Sequence, residues 1–112
     1  MRIAIPVTNG ILSMHFGHCE KFVLLDIDNN NKKLLIETEL DAPPHEPGLL
    51  PQWLAEHNVN IIIAGGMGQR AQTLFKQSNI AVVVGAASKS PQELASDYMN
   101  NALTNGENFC DH

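Results

Sequence analysis

Val59 to Ala64 and Ile80 to Gly85 are nearly unbroken runs of β-branched and small apolar residues. That is the composition of strands covered on both faces in a parallel sheet. Parallel neighbours cannot be joined by a tight turn, so the intervening residues must carry the chain back across the sheet. A helical pattern does this from about Gly68 to Ser78, with Ala71, Leu74 and Phe75 recurring on one side. Val59 to Gly85 is therefore a strand-helix-strand crossover, and the chain is bound to an α/β architecture.

The first half reads differently. Arg2 to Val7 is a short apolar strand closed by the turn residues Thr8-Asn9-Gly10. Lys21 to Asp28 alternates, with Val23, Leu25 and Ile27 on one face and Phe22, Leu24, Asp26 and Asp28 on the other, as in a partly covered strand. Asn29-Asn30-Asn31 turns the chain, and Lys32 to Glu39 returns to complete a hairpin. Asp41 to Gly48 is a loop stiffened by Pro43, Pro44 and Pro47, with His45 at its centre. From Leu49, the positions Leu50, Trp53, Leu54 and His57 follow helical spacing, and Pro51 falls in the first turn where its missing donor costs little. Asn58 suits a left-handed stop. A last helix is announced by Ser90 as N-cap, Pro91 at the first position and Glu93 completing a capping box. Leu94, Ala95, Tyr98, Met99 and Ala102 form its inner stripe. The expected order is β-β-β-α-β-α-β-α in a single domain spanning residues 1–112, with 103–112 a mobile, ligand-bearing tail.

Composition narrows the function. A net charge of -5 argues against nucleic acid, whose recognition needs clustered Lys and Arg. No apolar run approaches the roughly 20 residues needed to cross a bilayer, and the start does not resemble a signal peptide. We therefore expect a cytoplasmic protein, where the two cysteines would serve as free thiols or ligands.

The residues that carry chemistry are concentrated. His15, His18 and Cys19 fall within five positions, and Gly17 can supply the bend that lets them face one point. Cys110 and His112 form a matching pair near the other end; with His45 they bring the candidate metal ligands to six. Thiolate with imidazole suits iron-sulfur species, zinc or copper, whereas magnesium and calcium prefer oxygen. Two cysteines fall short of the about four that a permanent four-iron cluster wants, so incomplete ligation points to a cargo that is later released. Gly65-Gly66-Met67-Gly68-Gln69-Arg70 joins a strand to a helix, where free backbone donors attract anions. Gly66, Gly68 and Arg70 are candidate cofactor contacts there. Met67 is either a thioether contact or core. The stretch matches neither the phosphate-loop nor the dinucleotide pattern. His57 reads as structural, and the pairs Asp26/Asp28 and Glu37/Glu39 as solvated edges. No nucleophile has a base and an orienting acid beside it in sequence, so no enzymatic activity is expected.

Several motifs together resemble one family over essentially the whole chain. Ile3-Ala4-Ile5-Pro6-Val7 followed by His15-Phe16-Gly17, His45-Glu46-Pro47-Gly48 with Leu50-Pro51, Gly65-Gly66-Met67-Gly68, and Glu107-Asn108 with Cys110-Asp111-His112 are similar to the small members of the dinitrogenase iron-molybdenum cofactor biosynthesis family. The resemblance implies a ribonuclease H-like fold: a mixed five-stranded sheet of order 3-2-1-4-5 with helices on both faces. It also implies an iron-sulfur or molybdenum-iron-sulfur cluster, held by a carrier or assembly factor that meets metallocluster donor and acceptor proteins. Nuclease activity does not follow, because the first strand ends in Thr8 and Asn9 where nucleases of that fold carry a metal-binding aspartate. We expect a monomer or weak homodimer. A zinc-binding structural or regulatory module, and a small nucleotide binder or enzyme using Gly65 to Arg70, are the alternative readings.

Overall fold

The computed structural model describes residues 1–14, 19–28, 30–31, 33–43 and 48–100. Its centre is β1 (Arg2–Thr8), whose interior residues are all buried. Asn9 and Gly10 both adopt left-handed backbone, at φ 56° and 81°. Two such residues in succession make the turn whose twist matches antiparallel strands, and Asn-Gly is the pair that tolerates it best. The turn leads into β2 (Ile11–Leu12), paired with β1 through Thr8↔Ile11 and Val7↔Leu12. Sequence periodicity stops at the turn because two residues are too few to show alternation.

Next, β3 (Lys21–Asp28) runs antiparallel to β1, and β4 (Lys33–Asp41) runs antiparallel to β3 with a bulge opposite Asp26 and Ile27. The fourth strand thus extends two residues past Glu39, taking Asp41 out of the expected loop. β5 (Ile61–Ile63) lies parallel to β1, and β6 (Ala81–Val83) lies parallel to β5. The sheet is mixed and six-stranded, of order β4-β3-β1-β5-β6 with β2 paired to β1 off that path. The extra strand relative to the expected five is β2.

Strand pleating sends alternate residues to two cores. Ile3, Ile5, Val7, Val23, Leu25, Ile27, Ile61 and Ile63 meet Leu94 and Ala95 of α3 (Pro91–Met99). On the opposite face Ala4, Phe22, Leu24 and Ile62 meet Leu50 and Leu54 of α1 (Leu49–Glu56) and Phe75 of α2 (Gln69–Gln77). Helices therefore cover both faces, and two expectations change. Phe22 and Leu24 are fully covered, because α1 and α2 lie over the face of β3 that was read as half-open. β6 is not covered on both faces: it is the last strand, with Ala81 exposed and Val82 and Val83 half-buried.

The helix ends follow the sequence. Ser90 Oγ accepts from the Glu93 N–H at 3.3 Å and donates to Glu93 Oε1 at 3.1 Å, the cap expected of Ser-Pro-x-Glu. Asn58 after α1 and Asn79 after α2 both sit at φ 60°. His57 stacks edge-on against Trp53 with ring centroids 4.7 Å apart, a structural role. At the amino end of β1, Arg2 forms a two-pronged bond with Asp26 (2.7 and 3.1 Å) and donates to the His57 carbonyl, while Arg2 and Asn60 exchange two further bonds. No helix among the described residues is long and apolar enough to cross a membrane.

Candidate functional site

β1, β5 and β6 are parallel, so their carboxyl ends open on one edge. From β1 the chain passes to β3 on one side, and from β5 to β6 on the other. The carboxyl edge between β1 and β5 is the switch point at which open α/β sheets commonly present ligands; here β2 and Met14 lie beside it.

Hydrogen bonds fix what surrounds this edge. The Ser13 N–H donates to the Pro6 carbonyl at 2.8 Å and the Glu20 N–H to the Val7 carbonyl at 3.0 Å. Successive carbonyls of a strand point to opposite sides, so Met14 and Cys19 stand on segments anchored to the two flanks of β1. The Ala42 N–H donates to the Glu20 carbonyl at 3.1 Å, which brings the end of β4 alongside Cys19. Beyond β5, the Gly85 N–H donates to the Gly65 carbonyl at 2.9 Å, and the Leu12 N–H donates to the Lys89 carbonyl at 3.0 Å. A Cβ on Gly65 would stand 3.3 Å from Met14 Cα and 3.4 Å from its sulfur. The missing side chain thus admits Met14, whose Sδ accepts from Ser88 Oγ at 2.8 Å.

Cys19 is half-buried and outside any disulfide, packed against the apolar cluster that contains Phe22, Leu54 and Met67. Burial pushes its thiol from 9.0 up to about 11, against a smaller lowering from a backbone hydrogen bond. At neutral pH the group is therefore a protonated thiol and a poor nucleophile. A soft metal would bind it by displacing that proton.

The glycine turn divides by role. Met67 is 1% exposed and packs within the core. Gly66 is buried, and Gly68 caps α2 in extended conformation without a side-chain bond to the helix. The Gln72 amide donates to the Met67 carbonyl at 2.9 Å and its N–H to the Gly68 carbonyl at 3.1 Å, holding the turn. No acidic side chain lies in the first turn of α2. Arg70 is exposed and makes no ion pair among the described residues. The start of α2 thus presents positive potential at this edge.

His15, His18, His45, Cys110 and His112 lie outside the described residues. Among the described residues no three His, Cys, Asp or Glu side chains are placed to hold a metal ion. Sequence reading missed a cavity of about 310 Å³ on the α3 side of the sheet, lined in part by Glu20, Lys21, Glu37, Glu39 and Gln92. The spacing of Glu37 and Glu39 was its one visible sign.

A model of the dinitrogenase iron-molybdenum cofactor family matches residues 1–101. The chain belongs to that family. The match spans every element from β1 to α3 and includes Cys19 and the Gly65 to Arg70 turn, while Cys110 and His112 lie beyond it. An uncharacterised protein of Methanocaldococcus jannaschii, MJ0580, is 36% identical over 85 residues, 73% of this chain and 72% of that relative. The crystal structure of PH0822 superposes with a TM-score of 0.84 at 28% identity, covering 93% of each chain. The apo form of the orange protein of Desulfovibrio gigas shares the fold, with a TM-score of 0.73 at 17% identity over 96% of this chain and 93% of its own.

Proposed function

We propose that this member of the dinitrogenase iron-molybdenum cofactor family binds an iron-sulfur or molybdenum-iron-sulfur cluster as cargo. It hands the cluster between donor and acceptor proteins in the cytoplasm and has no catalytic step of its own. The observation that carries this reading is the position of Cys19. It is a half-buried thiol at the carboxyl edge of the parallel strands, on a segment tied by Glu20 to the end of β1. The family match supports it. The sheet order with helices on both faces supports a ribonuclease H-like assignment of the fold.

The donor chemistry fits a soft metal with transient residence. Cys19 would hold one metal through its sulfur once deprotonated, and its raised affinity for the proton makes that bond easier to reverse. The first turn of α2 and Arg70 would face an anionic cluster, offsetting the repulsion of a protein with net charge -5. His15, His18, His45, Cys110 and His112 are the further donors we assign to the cargo. Iron, molybdenum and sulfide analysis of the protein purified without air tests the proposal. Iron with acid-labile sulfide is expected; stoichiometric zinc without sulfide would replace this reading with a mononuclear site.

A further inference from the structure

Leu34, Leu35 and Ile36 are 41, 62 and 58% exposed, consecutive on β4, the outermost of the described strands. Of the exposed large hydrophobic residues, only Ile11 lies elsewhere among the described residues. An apolar edge of this kind is a template for another strand. Further along β4, Glu37 and Glu39 pair with Leu25 and Val23, so they lie on the α3 side, where they line the cavity of about 310 Å³ together with Glu20. Among the described residues Lys21 is the one cation in that lining, 3.5 Å from Glu39; Glu37 accepts from the Gln92 amide and Glu20 from the Asn9 N–H.

A second copy of the chain fits this edge badly. Antiparallel self-pairing centred near Thr38 sets Glu37 against Glu39, and like charges directly opposite are destabilising. Centring on Leu35 would set Lys33 against Glu37. The bulge prevents that pairing from closing: Lys33 pairs with Asp28 and Glu37 with Leu25, so the two side chains lie on different faces. The complement of this strip is a different chain with the opposite charge.

We infer that the outer edge of β4 and the adjoining cavity dock an extended basic segment of a partner protein. Apolar residues of that segment lie along Leu34 to Ile36, and an arginine or lysine head enters the cavity beside Glu37, Glu39 and Glu20. The far end of β4 reaches the Glu20 backbone through the Ala42 N–H, so a partner seated there lies beside the Cys19 edge.

The test uses the full chain without cargo and a short peptide of alternating arginine and valine, with an alternating glutamate and valine peptide as control. Fluorescence anisotropy and amide shifts read binding. The arginine peptide is expected to bind and to shift β4 and the cavity lining, more tightly at low salt. Glu37→Lys should weaken it about tenfold, as expected when a close charge pair becomes repulsive, and Leu35→Ser severalfold. Glu56→Lys, on exposed α1 surface, should leave it unchanged. Equal binding of the glutamate peptide, or equal loss in Glu56→Lys and Glu37→Lys, would overturn the inference. So would a dimer in sedimentation that Leu35→Asp dissolves, which would assign the edge to a second copy. Cluster binding plays no part in these readouts, so their failure leaves the proposed function standing.

Discussion

At the amino end of the strands, Arg2 alone engages Asp26, the His57 carbonyl and Asn60, while Met1 and Ile27 exchange two more bonds. At the carboxyl end the pieces are of another kind: a glycine turn, a half-buried thiol, a thioether held by Ser88, and the uncapped first turn of α2. One end spends its polar groups on each other. The other carries two sulfur atoms and the backbone donors that begin α2. Under the proposed function, stability and binding fall at opposite ends of the same strands, so they can be perturbed separately.

The largest separable effect is chemical. Burial raises the Cys19 thiol to about 11, so its thiolate fraction at pH 8 should be roughly a hundredfold below that of a free cysteine. Alkylation with iodoacetamide, followed by peptide mass mapping, should rise about tenfold per pH unit from pH 8 to 10. A profile that levels off near pH 9 would mean that the carboxyl edge does not bury its sulfur. Next in size, Gly65→Val would press two methyl groups into the Met14 backbone and should cost about 2 kcal/mol in urea unfolding, with amide shifts at Met14 and Ser88. At the other end, Asp26→Ala leaves the Arg2 guanidinium without its carboxylate and should also cost about 2 kcal/mol, yet leave Cys19 alkylation unchanged. Altered alkylation in that variant would show the ends to be coupled. The smallest effect is Ser90→Ala, about 1 kcal/mol from loss of the α3 cap, read by the same unfolding curves.

The crossover from β5 to β6 was legible because β-branched runs have few other uses, and α3 because Ser90, Pro91 and Glu93 each mark the same boundary. Cys19 and the Gly65 to Arg70 turn were singled out by spacing and residue type, and the fold sets both at one edge. The environment of Cys19 could not be read, since its burial comes from packing against a cluster assembled from both halves of the chain. The exposure of Leu34-Leu35-Ile36 was hidden for a related reason: the hairpin could be read, but not that no described strand would lie outside β4. β2 escaped because only the turn, not the strand, has a signature.

Anaerobic reconstitution with iron and sulfide, compared between Cys19→Ala and Asp26→Ala, tests the division most directly. Asp26→Ala should take up iron and sulfide as the unaltered protein does despite its lower stability, whereas Cys19→Ala should lose most of the charge-transfer absorption. Full absorption in Cys19→Ala would contradict the assignment of cluster binding to this thiol at the carboxyl edge.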